Sequence, residues 1–122
     1  MKVLLGIGGS DDSLTALERT VSRAVAADDE LTVALLDNPQ SDRAKGDIRE
    51  KVEAVLDDAE LEASVRDVSG DPGSRLLDIA ESEGFEQIVL GGGQRSPMGK
   101  IRLGQIAEFV LLNSHVSVKL VR

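Results

Sequence analysis

Residues 87–110 read QIVLGGGQRSPMGKIRLGQIAEFV. Gln87–Leu90 has the apolar density of a strand buried on both faces, and it runs straight into Gly91-Gly92-Gly93. Residues 94–103 show no apolar period and read as a loop. Ile106, Phe109, Val110 and Asn113 then recur at helical spacing. Buried strand, glycine exit, loop and helix form one unit of an alternating α/β chain, and the flanking sequence repeats the unit.

At the other end, Lys2–Gly8 is a second buried strand, broken at Gly8-Gly9-Ser10. Ser10, Asp11 and Asp12 supply capping oxygens for a helix that ends near Ala27 and buries Leu14, Leu17, Val21, Ala24 and Val25. Leu31–Leu36 follows as a strand, then the turn-rich Asp37-Asn38-Pro39 and a polar stretch to about Gly46. Ile48, Val52, Val55 and Ala59 mark a second helix, and Glu62–Val68 alternates like a half-exposed strand. Asp71 and Pro72 open a third helix, with Leu76, Leu77 and Ala80 facing inward until Gly84 stops it. Val116–Val121 closes the chain as a fifth strand. Strict alternation implies the α/β class, a parallel sheet with helices on both faces, in a single domain spanning residues 1–122.

Hydrophobic residues make up 41% of the chain, but with two Phe and no Trp or Tyr the core must be aliphatic, and stacking on a base or flavin ring is disfavoured. The absence of cysteine removes disulfides, thiolate metal sites and thiol catalysis, and suits a reducing compartment. No apolar run approaches the ~20 residues of a membrane span. The opening MKVLLGIGGS also lacks the longer apolar stretch and cleavage site of an export signal, so a cytoplasmic protein with no membrane partner is expected.

Against 14 bases stand 22 acids, a net charge of −8, which argues against a nucleic-acid partner because phosphate backbones need clustered Lys and Arg. Such an acidic, lysine-poor surface also suits a salt-rich, halophilic cytoplasm. The charge is uneven: residues 1–86 hold 21 acids and 9 bases, whereas residues 87–122 hold one acid, Glu108, and five bases. An anion would go to the C-terminal third.

Two segments carry candidate chemistry. After the fourth strand, Gly91, Gly92 and Gly93 let backbone N–H groups approach a ligand closely, and the loop leads to a helix N-terminus with partial positive charge. Arg95, Lys100 and Arg102 lie in that loop with no acid between residues 87 and 107. Alternatively, the glycines only make a tight exit and the three bases are solvated. Gly8, Gly9 and Ser10 end the first strand, where doubly wound sheets bind ligands, or else they form a turn and a helix cap. His115 has no Ser, Cys or carboxylate nearby in sequence to make a triad. No catalytic or metal-binding constellation emerges, so the chain reads as a non-enzyme.

The run from Gly91 to Val110, continued through Asn113 into Val116–Val121 and matched again over Val3–Leu17, resembles the universal stress protein family. That resemblance implies a doubly wound five-stranded parallel sheet in the order 3-2-1-4-5, similar to the adenine nucleotide alpha hydrolase-like fold, with a crevice between the first and fourth strands. Nucleotide-binding members carry an Asp at the end of the first strand and the pattern G-x2-G-x9-G-[S/T]. Here Gly91 and Gly104 match two glycines, Gln94 stands at the other, Gln105 at the Ser or Thr, and Gly8 at the Asp. Leu36 would face adenine. The resemblance implies a regulatory or stress-response module with ATP or AMP as ligand, or else a ligand-free dimeric interaction or stress-protection protein.

In that strand order the third and fifth strands are edges. Glu62, Arg66 and Asp67 guard one, whereas Val116, Val118 and Leu120 belong to a strand with one charge and no proline. An open edge of that kind predicts self-pairing, and the resemblance likewise implies a homodimer through the last strand.

Overall fold

The protein is described from a computed structural model, which covers residues 1–38, 41, 43–92, 94, 95, 101, 102 and 104–121. Along the chain run β1 (Lys2–Ile7), α1 (Asp11–Ala27), β2 (Glu30–Leu36), α2 (Lys45–Asp58), β3 (Ser64–Val68), α3 (Pro72–Ser82), β4 (Gln87–Gly91), β5 (Gln94–Arg95), β6 (Ile101–Arg102), α4 (Gln105–Asn113) and β7 (Ser117–Val121). The main sheet has the order β3-β2-β1-β4-β7 and is parallel throughout. Counted by its five long strands, this is the expected 3-2-1-4-5.

Because side chains alternate across a strand, the sheet divides the interior in two. Val3, Leu5 and Ile7 of β1, with Leu31, Val33 and Leu35 of β2, pack under α1 and α2. Leu4, Ala34, Leu36, Ile88 and Leu90 pack on the opposite face with α3 and α4. Gly6 lies in this second layer, where an added Cβ would come 2.8 Å from Leu90 Cδ2 and 3.0 Å from Leu76 Cδ2. Three leucines, the third being Leu36, close over a position that has no room for a side chain.

Local chemistry sets the helix ends. Ser10 caps α1 by accepting a hydrogen bond from the Ser13 amide at 3.2 Å, and Asp71 caps α3 through the Ser74 amide at 3.1 Å. Asp28 and Glu60, which follow α1 and α2, have φ of 57° and 53°, and Gly84 after α3 has 71°. Two of these left-handed positions are thus held by acidic residues rather than glycine.

Three expectations need correction. Val25 is 53% exposed rather than facing the core, because the buried stripe of α1 runs through Ala16, Leu17, Val21 and Ala24. Phe109 is partly exposed on α4, where its ring lies over Gly73; a Cβ on Gly73 would come 2.5 Å from Phe109 Cδ1. The segment 94–103 is not wholly irregular. Gln94–Arg95 pairs antiparallel with Ile101–Arg102, a ladder too short to leave any period in the sequence.

Candidate functional site

β1 hands the chain to α1 on one face of the sheet, and β4 hands it toward α4 on the other. The connections therefore part at the carboxyl ends of adjacent strands, which is where open parallel sheets form a ligand crevice. Gly8, Gly9, Ser10, Gly92 and Gly104 lie on the connections at these ends, Gly91 is the last residue of β4 and Gln105 the first of α4. Gly93 and Lys100 lie outside the described residues, as do the side chains of Gln94, Arg95 and Arg102.

The floor of the crevice is a backbone contact. An added Cβ on Gly91 would stand 2.7 Å from both Asp12 C and Ser13 N, so β4 can exit only because the first turn of α1 meets a glycine. The next residue, Gly92, is buried and donates its amide to the Val121 carbonyl at 2.7 Å. That N–H is spent on the sheet rather than offered to a ligand. Gly9 has φ of 87°, and a Cβ there would meet Ser41 Oγ at 2.5 Å and Ile48 Cδ1 at 2.7 Å. Tight turning and close approach both require glycine at this position. Leu36 is turned into the core beside Gly6, with 2% of its surface exposed.

The rim comes from a segment that sequence reading treated as a polar connector. Asn38 Nδ2 donates to the Gly8 carbonyl at 2.9 Å, and the Asn38 side chain fills the space into which a Gly8 side chain would project, 3.1 Å from the position of its Cβ. The Arg43 guanidinium donates to the Gly9 carbonyl and pairs with Asp11 Oδ1 at 2.6 Å. Lys45 binds Asp37, Asp67 Oδ1 at 2.6 Å and the Val68 carbonyl at 3.2 Å, while Asp37 Oδ2 accepts from the Gly70 amide at 3.0 Å. This clasp ties the start of α2 to the ends of β2 and β3. The only sequence trace of the rim was the density of Asp, Asn, Ser and Arg between residues 37 and 45, which is also what any solvated loop shows.

The two helix N-termini at the crevice differ in charge. At α1, Ser10 takes up an amide and Asp11 and Asp12 crowd the first turn; burial, and then Asp11, pushes the Asp12 carboxyl above its ordinary range. An anion is repelled there. At α4, the N-cap is Gly104, with no side-chain hydrogen bond and, beyond its chain neighbours, none of the described residues within 4 Å of where its Cβ would stand. Among the described residues no side chain caps its first amides, and along the chain no acid precedes Glu108 in the helix to offset its partial positive charge.

On the rim the remaining charges hold each other. Hydrogen bonds from Lys45 and the Gly70 amide lower the Asp37 carboxyl. Burial works against the Lys45 ammonium, but bonds to Asp37 and Asp67 leave it raised.

The family model for the universal stress protein family matches residues 1–122. None of the curated proteins matches the chain. A universal stress protein solved in complex with cAMP is 23% identical with a TM-score of 0.76, covering 100% of this chain and 96% of that one. The Archaeoglobus fulgidus universal stress protein in complex with dAMP is 17% identical, TM-score 0.71, with 100% and 98% covered. A family member from Arabidopsis thaliana with AMP bound is 14% identical, TM-score 0.65, with 99% and 90% covered. At such identities the likeness establishes a shared fold. The match of the family model along the whole length, on a sheet of this strand order, makes the chain a member of the universal stress protein family.

Proposed function

We propose that this protein is a non-enzymatic cytoplasmic regulatory module that takes an adenine nucleotide or a related small anion in the crevice between the ends of β1 and β4, and that works as a homodimer. The observation that carries the reading is the uncapped N-terminus of α4. It follows a glycine-rich connection bearing Arg95, Lys100 and Arg102 and no acid, so the phosphates would lie toward α4 and away from Asp11 and Asp12. Relatives of the same fold have been solved with cAMP, dAMP and AMP. The sole histidine, His115, is exposed on the connection between α4 and β7, at the opposite end of the strands from the crevice. That placement favours binding over acid–base chemistry.

Pairing across β7 has its own support. Val118 and Leu120 are half-buried on the open edge, Val116 lies one residue before the strand rather than in it, and Leu111 and Leu112 of α4 are 41% and 76% exposed. An antiparallel pair centred on Val118 would set Lys119 opposite Ser117 and avoid facing two lysines. A second reading, a ligand-free dimeric interaction protein, is favoured by one observation: Asn38 and Arg43 already occupy the carbonyls of Gly8 and Gly9.

Mass spectrometry of small molecules released on denaturation, with thermal shifts against ATP, ADP and AMP, separates the two. Release of a stoichiometric adenine nucleotide, or a saturable shift, supports binding. An empty protein with no shift leaves the ligand-free dimer. In the binding case Gly104→Asp, which places a carboxylate on the α4 amides, removes the nucleotide shift without lowering the melting temperature of the free protein.

A further inference from the structure

Further along α1 from the crevice, the helix does not fully cover the edge strand β7. A groove of about 340 Å3 remains between them, lined by Arg19 and Thr20 of α1 and by Lys119, Leu120 and Val121 of β7. It lies about 12 Å along α1 from Asp11, at 1.5 Å of rise per residue. Thr20 and Lys119 also line a small void beneath it that reaches Arg23, Asp29 and Gln87.

The bases there stand outside the molecule's ion pairs. Arg23, Arg43, Lys45, Arg49, Arg66 and Arg75 each have a carboxylate partner. Among the described residues Arg19 and Lys119 have none, as is also true of Lys2 and Lys51, but only Arg19 and Lys119 line a common groove. Asp29, the acid that lines the void beneath, is already paired with the Met1 ammonium at 3.3 Å and Arg23 Nε at 3.4 Å. Thr20 is 8% exposed, and its hydroxyl has no hydrogen-bond partner among the described residues. No fully enclosed polar atom there is left without a partner, so this hydroxyl opens on the groove.

We propose that this groove binds a phosphate group, held between the Arg19 guanidinium and the Lys119 ammonium, with the Thr20 hydroxyl as a third donor. Two cations and one hydroxyl match a dianion with several acceptor oxygens. The volume exceeds that of inorganic phosphate and is at the small end of ligand pockets, which fits a phosphomonoester whose organic part rests on Val121, the β7 side chain on the α1 face of the sheet. The site is separate from the crevice and does not depend on nucleotide binding there.

Backbone amide chemical shifts read the two places separately. The protein is titrated with inorganic phosphate and, in parallel, with glycerol 3-phosphate, chloride holding the ionic strength constant. Amides of Thr20, Lys119 and Leu120 should shift and saturate together. The Arg19→Gln/Lys119→Gln variant, whose spectrum is otherwise unchanged, should need at least about tenfold more ligand, since each charge-assisted bond lost is worth about a decade or more. Saturation by both ligands means the phosphate group suffices; saturation by the ester alone means the apolar wall contributes. Either result supports the site.

The proposal is overturned if groove shifts stay linear or absent, or if the double variant titrates like the parent. It is likewise overturned if saturable shifts are confined to Gly9 and Gln105, which report the crevice. Groove shifts that follow protein concentration and not phosphate would mean that carboxylates of a second copy fill the groove, and would also overturn it.

Discussion

Gly91 and Gly46 look alike in the sequence and differ sharply in the structure. A methyl at Gly91 meets backbone atoms of α1 at 2.7 Å, which cannot rotate away, whereas at Gly46, within α2, nothing lies within 4 Å. Gly91→Ala should therefore cost roughly 1–3 kcal/mol, as overpacking does. Gly46→Ala should gain roughly 0.5–1 kcal/mol from the helix preference of alanine. Urea unfolding of both variants checks the pair. Asp37 gives a pH test. Its folded-state carboxyl lies below the ordinary range because Lys45 and the Gly70 amide bond to it. The unfolded chain therefore takes up the proton first, and the stabilisation is complete at neutral pH and drains away as pH falls below about 4 and through the lowered value. Asp37→Asn should lower the melting temperature at pH 7, with the gap to the parent closing toward pH 2. At this scale the sequence was legible where an atom's job is local, as with Ser10 capping its own helix. It was opaque where the partner is 30 or more positions away, as with Asn38 over Gly8 and Arg43 over Gly9.

Element by element, long apolar strands and capped helices announced themselves, because burial on both faces leaves a dense hydrophobic run and a cap leaves a side-chain oxygen. What failed to show were features shorter than one period, such as the β5–β6 ladder, and the phase of a helix face to within one residue, as at Val25 and Phe109. The two edges of the sheet carry a prediction of their own. On β3, Arg66 grips Glu83 with two bonds of 2.6 Å, and Asp67 is held by Lys45, so the charges that guard this edge are fixed in place. Among the described residues no comparable ion pair stands on β7. Val118→Lys should convert a sedimenting dimer to monomer while leaving the circular dichroism unchanged. A parent that sediments as a monomer at micromolar concentration refutes the dimer itself.

For the molecule as a whole, an excess of eight negative charges on 122 residues makes the compact state repel itself. Added salt shortens the range of that repulsion to roughly 3 Å at 1 M. The urea midpoint should climb steadily from low to molar potassium chloride; a flat response would remove the case for a salt-rich home. The parallel sheet and its order were legible because alternation of strand and helix constrains topology strongly and the family resemblance supplied the order. The candidate site was legible only in outline, since its rim is assembled from tertiary contacts. The position of β7 also determines how quickly its hydrogens trade with water. The Val121 carbonyl faces β4, where it accepts from Gly92, so the amides of Val118 and Leu120 point out from the free edge and those of Ser117 and Lys119 point in. β1, sealed between both cores, should exchange only when the whole protein opens. Within β7 a lone chain should then show fast and slow amides in alternation, a comb whose fast teeth disappear when a second copy seals the edge.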